Sequence, residues 1–196
     1  MELVMDSLLQ RSIKSFLQTS VIGDGSTTIH WELWKTGMLR LDLNERTVLH
    51  IWDHRYYHPK VTMVHDHPFF LKSRIVAGKL GNVRYIPHGQ GDVFWKAKIQ
   101  CGVGACMIQD PVRIHLIRHS TEEYSPGDSY QQFAEEIHET KIFPDGAVTM
   151  VTRDFGSDRD NAHVYIPDGL EWGDAFPRLA TNEEVTDIIQ RALQLF

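Results

Sequence analysis

With 196 residues, 42% apolar and 10% aromatic side chains, the chain has the material for one folded core, and composition excludes global disorder. The formal net charge is −6, with acidic and basic residues mixed and no basic block, so a nucleic-acid partner is not expected. No apolar run approaches the ~18 residues of a transmembrane helix, and the opening Met1-Glu2-Leu3-Val4-Met5-Asp6 is acidic where a secretory leader would be basic.

Residues 3–17 set Leu3, Met5, Leu8, Leu9, Ile13, Phe16 and Leu17 mainly along one helical face, which predicts an amphipathic helix within residues 1–22. Gly23-Asp24-Gly25-Ser26 ends it with turn chemistry. Between residues 28 and 166 the chain becomes a series of short runs rich in Val, Ile, Thr, Trp and Tyr. Strands are expected at 28–34, 37–42, 47–53, 61–66, 71–78, 81–86, 92–98, 112–117, 127–132, 136–142, 147–153 and 162–166, with turns at sites such as Pro87-His88-Gly89 and Ser125-Pro126-Gly127-Asp128. Thr181 followed by Glu184 forms a capping-box pattern, and Val185, Ile188, Ile189, Leu193 and Phe196 make an apolar stripe, so a C-terminal helix spans 181–196. The expectation is a single all-β domain, residues 1–196, with a helix at each end.

Two cysteines, Cys101 and Cys106, form neither C-x-x-C nor a disulfide framework, so free thiols and a cytoplasmic setting are expected. Cys106 reads as a packed core residue or a pocket thiol.

Histidine is the outlier, at eleven residues. In an extended chain, His65 and His67 of Val64-His65-Asp66-His67-Pro68 point to one face and Asp66 to the other, so two imidazoles can reach one ion. An apolar stretch follows, and Gly78 is expected to close it in a turn. Further on, Pro126-Gly127-Asp128 opens a short strand and His138 begins the next, a third nitrogen for the set. Three imidazoles on one side of an ion leave positions open for water, substrate or dioxygen. His88, His115 and His119 have no such context and are read as non-ligands. No P-loop, dinucleotide fingerprint, H-E-x-x-H or G-x-S-x-G is present.

These two stretches resemble the motifs of the cupin superfamily (RmlC-like), over roughly residues 45–155. The resemblance implies a double-stranded β-helix, or jelly-roll, barrel with one divalent metal ion near its mouth, held by His65, His67 and His138. It also implies a homodimer. The chain departs from the glutamate-containing cupins, because Phe70-Leu71-Lys72-Ser73 offers no carboxylate as a fourth ligand. In this it is similar to three-histidine cupins such as the cysteine dioxygenase-like enzymes, although Val151-Thr152-Arg153 stands where their His-x-Tyr pair would follow. It is also similar to bacterial and phage cupins of no assigned activity that share the H-x-H-P-aromatic start and a Trp/Tyr-rich tail, here residues 163–172.

Several side chains are candidates for a substrate pocket. Val48, His50, Trp52 and His54 alternate onto one strand face, and His50 and Trp52 approach the ion if that face is interior. Arg40 or Arg74 suits a substrate carboxylate, which a guanidinium binds through two parallel bonds. Tyr130, Gln132 and Tyr165 are candidates for orienting substrate or dioxygen, with Gln132 also a stand-in for the missing carboxylate. The leading reading is an Fe(II)-dependent dioxygenase acting on a small organic molecule, with Ni, Zn, Mn or Cu also compatible with imidazole. The alternatives are a non-catalytic small-ligand-binding protein with a structural or ligand-anchoring metal, and a metal-free isomerase with histidine as general base.

Overall fold

The computed structural model describes residues 2–22, 29–61, 64–100, 110–154, 161–170 and 177–196. Cys101, Cys106, the Gly23–Ser26 turn, Glu171 and Trp172 lie outside them. In chain order the described elements are α1 (Glu2–Ile22), β1 (Glu32–Trp34), β2 (Thr36–Asp42), β3 (Thr47–Tyr57), β4 (Phe70–Gln100), β5 (Val112–Tyr124), β6 (Ser129–Gln132), β7 (Ile137–Asp154), β8 (Asn161–Pro167), β9 (Arg178–Leu179) and α2 (Asn182–Ala192), which a 3-10 turn (Leu193–Leu195) extends. No helix among the described residues is long and apolar enough to cross a membrane.

The strands pair antiparallel in the order β5-β4-β7-β3-β2-β1-β9, with β6 and β8 both added to β4. The fold is therefore all-β, as expected, and among the described residues the path runs open from β5 to β9.

Fewer and longer strands form than the turn signals predict. The expected strands at 71–78, 81–86 and 92–98 are one continuous β4, and those at 136–142 and 147–153 are one β7. Gly78 lies inside β4 and closes no turn. Its φ of +74° bends the strand at a register shift, and a Cβ there would lie 2.3 Å from the Gly146 carbonyl oxygen. The Pro87-His88-Gly89 turn is a bulge, since both Pro87 and Asp92 pair with Leu116 of β5. Of the expected 61–66 strand, residues 62–63 lie outside the described residues, and within 64–66 His65 bridges His138 of β7 and Val164 of β8.

Alternation divides the β3 side of the sheet into two faces. Leu39 and Leu41 of β2, Leu49 and Ile51 of β3 and Val148 of β7 are buried under the helices, against Ile13 and Leu17 of α1 and Ile188, Ile189 and Ala192 of α2. Thr181 caps α2 through the expected capping box with Glu184. Arg191 of α2 donates to Asp53 of β3 and Asp187, and Asp187 also accepts from the Tyr56 hydroxyl, so the helix is clasped to β3. The other face, here the inner face, carries Trp52, Leu71, Ile75, Leu80, Tyr130, Ala147 and Val151 as a second core. Val64, Phe94, Leu116, Ile137 and Tyr165 form a third, beyond β7.

Candidate metal centre

Two backbone bonds place the first candidate histidine beside the third. His65 N donates to His138 O and His138 N to His65 O, both at 2.8 Å. Strand alternation then turns His65, His67 and His138 to one side, while Asp66 and Ile137 face the other. The three Nε2 atoms form a nearly equilateral triangle, with separations of 3.1, 3.1 and 3.2 Å.

That triangle fits one ion. Two nitrogens at about 2.1 Å from a common centre and roughly 90–110° apart lie about 3.0–3.4 Å from each other. The tautomer fits as well. His138 Nδ1 donates to Asn82 Oδ1 at 2.9 Å, which leaves its Nε2 lone pair pointing into the triangle. Burial, then the neighbouring imidazoles, hold His67 and His138 well below the usual imidazole range, so both are neutral. Imidazole nitrogens whose lone pairs converge repel one another unless a cation or shared protons lie between them. Among the described residues these three are the only group of histidine, cysteine or carboxylate side chains with ligand atoms so close together.

Scanned against models of known protein families the chain matches none, and no curated protein matches it.

Around the triangle the sheet register brings several of the expected pocket residues to the inner face. Arg40 pairs with His50, and Met38 with Trp52; His50 and Trp52 pair in turn with Thr149 and Ala147 of β7. Trp52 Nε1 donates to Thr149 Oγ1 at 3.2 Å, and the His50 ring stands edge-on to Trp52 at 5.7 Å. Burial first, then the positive charges of Arg40 and Arg153, hold His50 down to about 3. Tyr130 is in the inner core. Gln132 is 1% exposed; its Nε2 donates to the Glu136 carbonyl and its Oε1 finds no hydrogen bond among the described residues.

Arg74 is not brought to this group. It lies between the buried inner-face residues Ser73 and Ile75 and pairs with Met150, so alternation puts it on the helix side. His54 is exposed at the end of β3. Tyr165 belongs to the third core, where its hydroxyl donates to Asp66.

Arg153 is a site neighbour that the sequence reading missed. Its guanidinium lies 6.0 Å from the Phe69 ring centroid, and Phe69 stacks on the ligand His67 at 5.3 Å. Asp42 bridges it to Arg40, at 3.3 and 2.9 Å, and Glu32 lies 3.4 Å from Arg40. The available signal was alternation from Ala147 through Thr149 and Val151 to Arg153.

A cleft of about 890 Å³ lies behind the ligand segment, on the Asp66 side rather than over the triangle. Asp66, Lys96, His163 and Tyr165 line part of it, and none of the three ligand histidines does. Asp66 is 2% exposed and accepts from His163 N at 2.7 Å, His163 Nδ1 at 2.9 Å and the Tyr165 hydroxyl at 2.9 Å. Burial, then the Asp66 charge, push the Tyr165 phenol up, so it stays a donor.

Proposed function

We propose that the chain is a cupin-like metalloprotein that holds one divalent ion through His65, His67 and His138, and that it is an Fe(II)-dependent dioxygenase of a small organic molecule. The observation that carries the metal reading is the Nε2 triangle with 3.1–3.2 Å edges. Asn82 fixes the His138 tautomer, and burial keeps the His67 and His138 imidazoles neutral. The ligand set lacks a carboxylate, so a bound divalent ion keeps its full charge and positions for exogenous ligands, and iron would supply dioxygen chemistry there. The residues of the chain would orient the organic molecule. Arg40, His50, Trp52 and Arg153 share the inner face beside the triangle, and the two guanidiniums suit an anionic group.

A second reading has one observation in its favour. The 890 Å³ cleft lies behind the ligands rather than over them, as a protein that binds a ligand without turning it over could arrange it. There the ion would be structural.

Elemental analysis of protein purified without chelator, beside a His65→Ala/His67→Ala variant, tests the centre. One equivalent of metal, lost in the variant, supports it; no metal in either form overturns it. Oxygen uptake by iron-loaded protein with thiols, aromatic diols and keto acids then separates the two readings. Consumption with one of these supports the dioxygenase, and silence across them all favours the ligand-binding protein.

A further inference from the structure

We infer that Asp66 is a positioning residue for the metal centre: its buried carboxylate, gripped by His163 and Tyr165, sets the strand that carries both His65 and His67. The inference rests on the metal reading above.

The ligand strand lies between β7 and β8. Two of the three ligands stand on residues 64–67, which form no extended ladder. His65 bridges β7 and β8, and among the described residues Asp66 N donates to His163 O at 3.0 Å, Tyr165 N to Val64 O at 2.9 Å and Glu135 N to His67 O at 2.9 Å. A twist of this strand about its own axis moves two ligands at once.

The Asp66 side chain opposes that twist. It lies midway between the ligands in sequence and on the opposite face of the strand. Both its oxygens are engaged: Oδ1 takes the His163 backbone N–H, while Oδ2 takes the His163 imidazole and the Tyr165 hydroxyl. A carboxylate that is 2% exposed survives burial only with such partners. All three donors come from β8, which is threaded through the third core by Tyr165, so the ligand strand is tied to a fixed element. The cleft that reaches Asp66, His163 and Tyr165 is therefore the back wall of the metal centre.

The test measures the metal directly. Apo protein is titrated with Co²⁺ against a competing chelator, and the cobalt absorption spectrum is recorded, for wild type, Asp66→Asn, Tyr165→Phe and Asp53→Asn. Asp66→Asn replaces an acceptor by a donor opposite His163, and is expected to weaken cobalt binding about tenfold or more and to shift the spectrum. Tyr165→Phe removes one of the three donors and is expected to act in the same direction, by less. Asp53→Asn cuts the α2 clasp on the helix side and is expected to lower thermal stability while leaving affinity and spectrum unchanged. A folded Asp66→Asn with wild-type affinity and spectrum overturns the assignment, as does an equal loss in Asp53→Asn. If Asp66→Asn does not fold, an unchanged Tyr165→Phe overturns it. Wild type that takes up no cobalt overturns the metal centre itself, an outcome distinct from all of these.

Discussion

Asn82 and His138 stand on paired strands, and Asn82 Oδ1 accepts from His138 Nδ1 at 2.9 Å. Because the donor side of the imidazole is spent on the amide, only Nε2 is left for the triangle. Asn82→Ala removes the acceptor and frees the ring to change tautomer and tilt. Metal affinity is expected to fall about 10–100-fold, while Asn82→Asp, which keeps an acceptor in place, is expected to restore most of it. Chelator competition on the two variants and wild type checks this.

His50 gives the fold a pH dependence of known sign. In the folded chain its imidazole is held down to about 3, against 6.5 for the free group. Above pH 6.5 both states are neutral at this residue and the full stability is present. As pH falls from 6.5 towards 3, the unfolded chain takes up a proton that the folded chain refuses, and stability is lost. Urea unfolding at pH 7 and pH 5 should show a smaller loss for His50→Gln than for wild type.

Gly146 bends β7 next to the Gly78 bend of β4. It has a φ of +80°, and a Cβ there would lie 2.3 Å from the Trp52 carbonyl oxygen. Gly146→Ala meets both a left-handed backbone and a backbone clash, and is expected to cost about 2 kcal/mol or more. Thermal unfolding measures it. Gly89, where a Cβ would meet nothing within 4 Å, is the control and should tolerate alanine.

Arg191 ties α2 to β3. Arg191→Ala leaves the Asp53 carboxylate, with its side chain only 10% exposed, to the more distant Arg55 guanidinium at 3.6 Å, and is expected to destabilise by about 1–3 kcal/mol. The metal triangle faces away from this clasp, so cobalt affinity should hold. Denaturation and metal titration on one sample decide both points.

The three clustered histidines were legible because their signal is local. Alternation alone puts His65 and His67 on one face, and the Pro126–Asp128 turn marks the approach to His138. The capping box of α2 is equally local. What was illegible depends on register between distant strands. Asn82 meets His138 only because β4 and β7 pair with Arg84 opposite His138, and a shift of one residue would turn Asn82 away. Asp66 looked like a spacer because its partners lie 97 and 99 residues away. Gly78 was misread because a bend within a strand and a turn between strands draw on the same residue.

The triangle also says something about when it can exist. His67 and His138 are separated by 71 residues, and His65 and His138 by 73. A peptide holding only the H-x-H segment has two donors and no third. An ion bridging these positions would be a reversible staple across a loop of that size, absent from the unfolded chain and closing only after β4 and β7 have found each other. Metal capture would therefore come late in folding, and the bound ion would report that the two distant strands have joined.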